Sequence, residues 1–231
     1  IMGGTGSLTN IGSGTLVLNN INTYSGTTKA TAGTITLSHP LALMNSAIDT
    51  TGAGAITLSG VTAPTFGGLS GATGDLGTGG VLATGYSGVT ALTLNPAGTV
   101  TYGGVIANGS GAMPLTMTGA GTQVLQGVNT YSGATILKAG TLELSGSGSI
   151  LNSAITFSGG GLKLSNTAAE TGSGRVADGT GITANGGTLT YNNTSGANVY
   201  AETIGSVALT SGQLDIVEAV SQASTGSQTL T

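Results

Sequence analysis

Cysteine and tryptophan are absent from these 231 residues, histidine occurs once and phenylalanine twice. Without Cys there is no disulfide framework, no thiolate metal site and no cysteine nucleophile. Lys and Arg together number four, and charged residues make up 5% of the chain, against about 25% in an ordinary soluble domain. So few cations leave no basic footprint for nucleic acid or for an anionic lipid surface. No apolar run reaches about 18 residues, so no helical membrane span is expected. What fills the chain instead is small: 44 Gly, 40 Thr and 23 Ser. That much Gly excludes a coiled coil or a helix bundle.

Disorder is the other reading of such a composition. It conflicts with a hydrophobic content of 38% and a mean hydropathy of +0.31. The apolar residues also alternate. Leu16 and Leu18, Ile35 and Leu37, Ile56 and Leu58, Leu92 and Leu94, and Leu115 and Met117 each flank one residue. The pattern continues at Leu142/Leu144, Leu162/Leu164, Leu189/Tyr191 and Leu214/Ile216. Period two means strands with one buried face. The runs are short, and Gly, Ser and Asn bound them, as turns require.

An internal repeat decides how such strands assemble. Residues 12–48 return at 119–155, offset by 107 without a gap, with 20 of 37 positions identical. Within both copies stand Asn-Thr-Tyr-Ser-Gly (22–26 and 129–133), Ala-Gly-Thr-x-x-Leu-Ser (32–38 and 139–145) and Asn-Ser-Ala-Ile (45–48 and 152–155). Asn-Gly pairs that signal hairpins occur only at Asn108-Gly109 and Asn185-Gly186. Short strands without hairpins bury a core by stacking coils. The expected fold is therefore all-β, a parallel β-solenoid over residues 1–231. Coils of roughly 20 residues give on the order of 11 rungs.

The succession Gly-x-Gly-Thr-Leu-x-Leu, Asn-Thr-Tyr-Ser-Gly and Ala-Gly-Thr-Leu-x-Leu resembles the autotransporter-associated β-strand repeat of bacterial passenger and large surface proteins. The resemblance is close over about a third of the chain. It implies a right-handed parallel β-helix on or outside the cell, and nothing about an activity. Gln123 departs from the pattern, standing where the first copy has Leu16. Either the strand is shifted there or a polar group is buried.

Polysaccharide-active β-helices need two or three close carboxylates. The acids are Asp49, Asp75, Glu143, Glu170, Asp178, Glu202, Asp215 and Glu218. Asp215 and Glu218 fall on opposite faces of a strand. Glu170, Arg175 and Asp178 read as a solvated loop with a surface ion pair. His39, before Pro40, reads as a surface loop residue. No catalytic, cofactor-binding or metal-binding residue is expected, and no cofactor. The Gly-Gly-x-Gly-x-Asp calcium repeat is absent, and Gly71–Asp75 approaches it once. Tyr24 and Tyr131 read as corner elements with Asn bonding the backbone, in preference to stacking platforms for sugars. The Thr-x-Thr pairs at 34–36 and 188–190 are too irregular for an ice-binding face, since the second Thr becomes Glu143 in the repeat. The sequons at Asn192 and Asn108 read as chance.

The expectation is a non-enzymatic structural protein, extracellular or at a bacterial surface. No capping element is visible at Ile1–Leu8 or Gln228–Thr231. End-to-end assembly with itself, as a fibre subunit or within a longer array, is the first reading. A stalk or spacer of an adhesin is the second. Cell-surface or matrix components are further expected partners. Nucleic acid and membrane insertion are not.

Overall fold

A computed structural model describes residues 1–77, 81–82, 84–166, 174–193, 200–220 and 228–230. Glu170, Thr194 and Thr231 lie outside the described residues. Every strand pair among them is parallel. Neither Asn-Gly pair makes a hairpin. Asn185-Gly186 sits instead at a register shift within a long strand.

The strands stack in three columns. The first holds β1 (Leu8–Asn10), β3 (Thr28–Ala30), β5 (Ile48–Asp49), β8 (Leu69–Ser70), β10 (Thr99–Tyr102), β12 (Thr122–Leu125), β14 (Thr141–Leu144) and β16 (Gly161–Asn166). The second begins with β2 (Thr15–Leu18), β4 (Thr34–Leu37) and β6 (Ala55–Leu58). The third holds β7 (Thr65–Phe66), β9 (Leu92–Leu94), β11 (Leu115–Met117), β13 (Thr135–Leu137) and β15 (Ile155–Phe157). Two long strands, β17 (Ile182–Asn193) and β19 (Val207–Val220), run through both the third and first columns. A short pair, β18 (Tyr200–Glu202) with β20 (Gln228–Leu230), completes the set.

All nine alternating pairs lie in these strands. From β4 to β17 their apolar members point inward and are buried. The core is one continuous interior of Leu, Ile, Phe and Tyr from Leu18 to Tyr191. The outward positions are Thr-rich, which suits a pleated, half-exposed surface.

The first column passes through Leu8, Thr28, Ile48, Leu69, Val100, Gln123, Leu142, Leu162, Leu189 and Ile216, which makes ten rungs. Among the described residues this column is close to the eleven or so rungs expected, and its coils are not of one length. Leu8, Thr28, Ile48 and Leu69 are 20, 20 and 21 residues apart, whereas Leu162, Leu189 and Ile216 are 27 apart.

The second repeat copy does not sit above the first. β1 and β3 stand in the first column, while their counterparts β11 and β13 stand in the third. β2 and β4 of the second column correspond to β12 and β14 of the first. The 107-residue offset is not a whole number of turns, so equivalent side chains face different sides of the rod.

Candidate functional site

The repeated corners hold a buried polar system that recurs in both copies. Asn22 and Asn129 are both buried. The Oδ1 of Asn22 accepts from Met2 N–H (2.9 Å), and its Nδ2 donates to the carbonyls of Asn20 and Ala42 (both 3.2 Å). Asn129 repeats this pattern. Its Oδ1 accepts from Ile106 N–H (3.0 Å), and its Nδ2 donates to Gly127 O (2.9 Å) and Ser149 O (3.2 Å). Each amide therefore links the rung below, its own rung and the rung above, and leaves no buried donor unmet.

Two residues on, the tyrosine closes a hydroxyl chain. Tyr24 Oη and Thr28 Oγ1 are 2.5 Å apart, Thr28 Oγ1 and Ser46 Oγ 2.7 Å, and Ser46 Oγ donates to Gly26 O at 2.5 Å. In the second copy Tyr131, Thr135 and Ser153 form the same chain, each step 2.7 Å, ending on Gly133 O. Burial pushes both phenols above their ordinary range, and the hydroxyl partners only partly offset it. The chain ends on a carbonyl oxygen and meets no acid or base. It fixes a corner and does not activate a nucleophile.

Glycine serves these corners and the turns that follow β3 and β13. Gly33 and Gly140 have φ near +56° and +59°, and a methyl on either would run into carbonyl oxygens of the preceding rung. Gly26 and Gly133 approach the backbone of Gly6 and Met113 as closely. These contacts explain why the motif ends Ser-Gly.

Residues 8–37 and 115–144 match the family described as passenger-associated-transport-repeat. The two matches together cover 60 of the 231 residues. No curated protein and no solved structure matches it. Each hydroxyl chain reaches beyond the matched repeat, since Ser46 and Ser153 lie after its last residue.

Other residues singled out in the sequence take structural places. His39 is half-buried, and its Nδ1 accepts from Leu41 N–H (3.1 Å) within a turn. Asp75 accepts from Val105 N–H (2.8 Å). Asp215 and Glu218 are exposed on β19. Thr36 and Thr57 pair their hydroxyls at 3.0 Å, but the outward positions of β12, β14 and β16 carry Val124, Glu143 and Lys163, which break any Thr array. Lys29–Asp49 (3.4 Å) and Lys163–Glu143 (3.2 Å) are ion pairs between directly paired positions of neighbouring rungs. Burial alone would raise the Asp49 carboxyl, but bonds from Thr51 and the Lys29 charge hold it below its usual range. Among the described residues no three His, Cys, Asp or Glu gather as a metal site, and no helix is long and apolar enough to cross a membrane.

The reading of Arg175 as part of a solvated loop is overturned. Arg175 is 2% exposed and Asp178 is exposed. Arg175 Nε donates to Asn166 Oδ1 and Nη1 to Gly148 O, both at 2.9 Å. Its charge neighbour is Glu202, 27 residues away and 1% exposed. The Glu202 carboxylate accepts the N–H groups of Gly174, Arg175 and Val176 at 2.9–3.1 Å. Burial still pushes its carboxyl above the ordinary range, against those three bonds and the Arg175 charge. Tyr191 beside it is pushed up to about 12, first by burial and then by the Glu202 charge. Nothing local in the sequence marks Glu202. A third Tyr-Ser-Gly, at 86–88, was legible there. It forms a one-turn 3₁₀ element, with the buried Tyr86 donating to Ala107 O (3.0 Å).

Proposed function

We propose that this chain is a structural rod segment of a bacterial passenger-type surface protein, without a catalytic role. The observation that carries the reading is the repeated corner. Two copies of one buried hydrogen-bond system tie successive rungs, and no described cleft gathers acids, bases or metal ligands. Residues in such a motif serve rung stacking. A rod needs what these side chains supply: stiffness, and stability that does not depend on ion pairs.

The terminal rungs supply the finer reading. Leu209 is 67% exposed on β19, with Ile216 and Val217 beside it, and Ile11 and Val17 are exposed on the first rung. Unpaired strand edges with apolar side chains template further pairing. We read them as stacking surfaces, occupied by a second copy in a fibre or by further coils of a stalk. Location at or outside the cell surface follows from the same reading.

Negative-stain electron microscopy of the purified chain across a concentration series tests this. Fibres of uniform width at high concentration support end-to-end assembly. Separate short rods at every concentration support the stalk. Compact particles with no rod dimension would refute both.

A further inference from the structure

Gln123 occupies an inward position of β12 and is fully buried, where the first repeat copy has Leu16. The strand is not shifted, because Gln123 pairs in register with Val100 and Leu142. A primary amide in an apolar interior is tolerated only when its donors and acceptor are met. Here they are met from an unexpected direction. Gln123 Oε1 accepts from Leu69 N–H, and Nε2 donates to Leu69 O, both at 2.9 Å. Nε2 also reaches Val100 O (3.2 Å) and Val124 O (3.1 Å). Paired donation and acceptance on one residue is what a neighbouring strand peptide provides.

Leu69 needs such a partner because the first column is interrupted above it. On its lower side β8 pairs with β5 in register. On its upper side the bridge to β10 runs through Gly71, which donates to Thr101 O and accepts from Gly103 N–H. From Leu69 to Val100 the chain takes 31 residues, the longest step in the column. Gly68 has φ +131°, and a methyl there would press on Gln123 Oε1 and Val100. A second side-chain amide crosses the same level. Asn95 Nδ2 donates to Met44 O (3.0 Å) across 51 residues, and its Oδ1 accepts from Thr118 (3.3 Å).

The two corner systems lie on either side of this level, the Asn22 system below and the Asn129 system above. We propose that the Gln123 carboxamide replaces a strand peptide at a break in the solenoid. It acts as the side-chain lock of a joint, confined to the first column, between the block of coils below and the block above, which the third column bridges through β7 and β9. The joint then opens before either block does.

Native-state hydrogen exchange read by mass spectrometry tests this on the full chain. In the unaltered protein the Leu69 amide is protected well above an open loop yet exchanges faster than the amides of β5, and protection equal to that of β5 would overturn early opening of the joint. In Gln123→Leu, which restores the repeat's own residue, peptides covering 67–71 exchange at least tenfold faster while β14 and β16 keep their protection. Gln123→Glu, which retains an acceptor but loses the donor, shifts exchange in the same direction. Unchanged exchange at 67–71 in Gln123→Leu would overturn the joint, as would an equal loss of protection along the whole rod. If neither variant folds, the unaltered chain still decides, since a Leu69 amide exchanging as freely as an open loop would also refute the lock.

Discussion

At the scale of single residues, the Asn-Thr-Tyr-Ser-Gly corner works because polar groups replace apolar filling without leaving any member unpaired. The costs of breaking it should therefore be unequal. Tyr131→Phe removes one hydroxyl and leaves the Thr135–Ser153 bond in place, so a loss of about 1 kcal/mol is expected. Asn129→Leu leaves Ile106 N–H and the carbonyls of Gly127 and Ser149 without their side-chain partner, and about 3 kcal/mol is expected. Urea denaturation of the two variants checks the order. A Tyr131→Phe loss equal to that of Asn129→Leu would mean the rings, not the amides, hold the corner. Tyr86 marks the limit of the motif: it keeps the buried ring, yet its hydroxyl goes to Ala107 O because Thr90 bonds Thr62 O at the surface instead.

Among the elements, β18 depends on a buried charge. Glu202 enters a cradle of three backbone N–H groups and lies near Arg175. Its carboxyl is raised in the folded chain, so the folded state holds the proton more tightly than the unfolded one. Stability therefore falls as pH rises from the ordinary carboxylate range through the raised value, and acidification back through that window recovers it. Asp49 is shifted the other way, so its contribution is lost only on further acidification, below the ordinary carboxylate pKa of about 3.9. Thermal melting between about pH 4.5 and 8 should show a falling midpoint for the unaltered chain and a flatter profile for Glu202→Gln. A midpoint that rises with pH across that window would contradict the assignment. β19, like β1 and β2 at the other end, is paired on one edge, by β17, while Leu209 and Ile216 remain exposed.

At the scale of the whole molecule, the ten rungs of the first column among the described residues give, at about 4.8 Å each, a stack of about 48 Å. Small-angle scattering of dilute chain should return a long dimension near that value plus loops. If terminal stacking builds fibres, Leu209→Lys should stop them. A charge at an exposed strand edge opposes pairing, and at 67% exposure it costs the core little. Fibres of undiminished length in that variant would exclude stacking through β19. The rotation of the second repeat by one column has a consequence at the same scale. Ile21 and Val128 are equivalent and both exposed, yet they belong to corners on different sides of the rod. The two repeats thus present no common outward stripe to a partner.

Much of this was readable from local order. Period-two alternation located β2, β4, β6, β9, β11, β14, β16, β17 and β19, because pleating places alternate side chains on opposite faces whatever lies beyond; it passed over β5, β8, β12, β13 and β15, which also bury Leu or Ile. The 107-residue repeat located the corners, because Asn, Tyr, Thr, Ser and Gly at those spacings bond only to adjacent rungs. The burial of Gln123 stood as one of two alternatives, and the register around it chose between them. What tertiary structure alone decided depends on how far the chain travels before it closes a coil. Coil lengths from 19 to 31 residues set the rung count and turned the second repeat onto another face. They also brought Leu69 to Gln123 and Glu202 to Arg175, across 54 and 27 residues. No local pattern encodes those meetings, because each is made by the sum of the loops between.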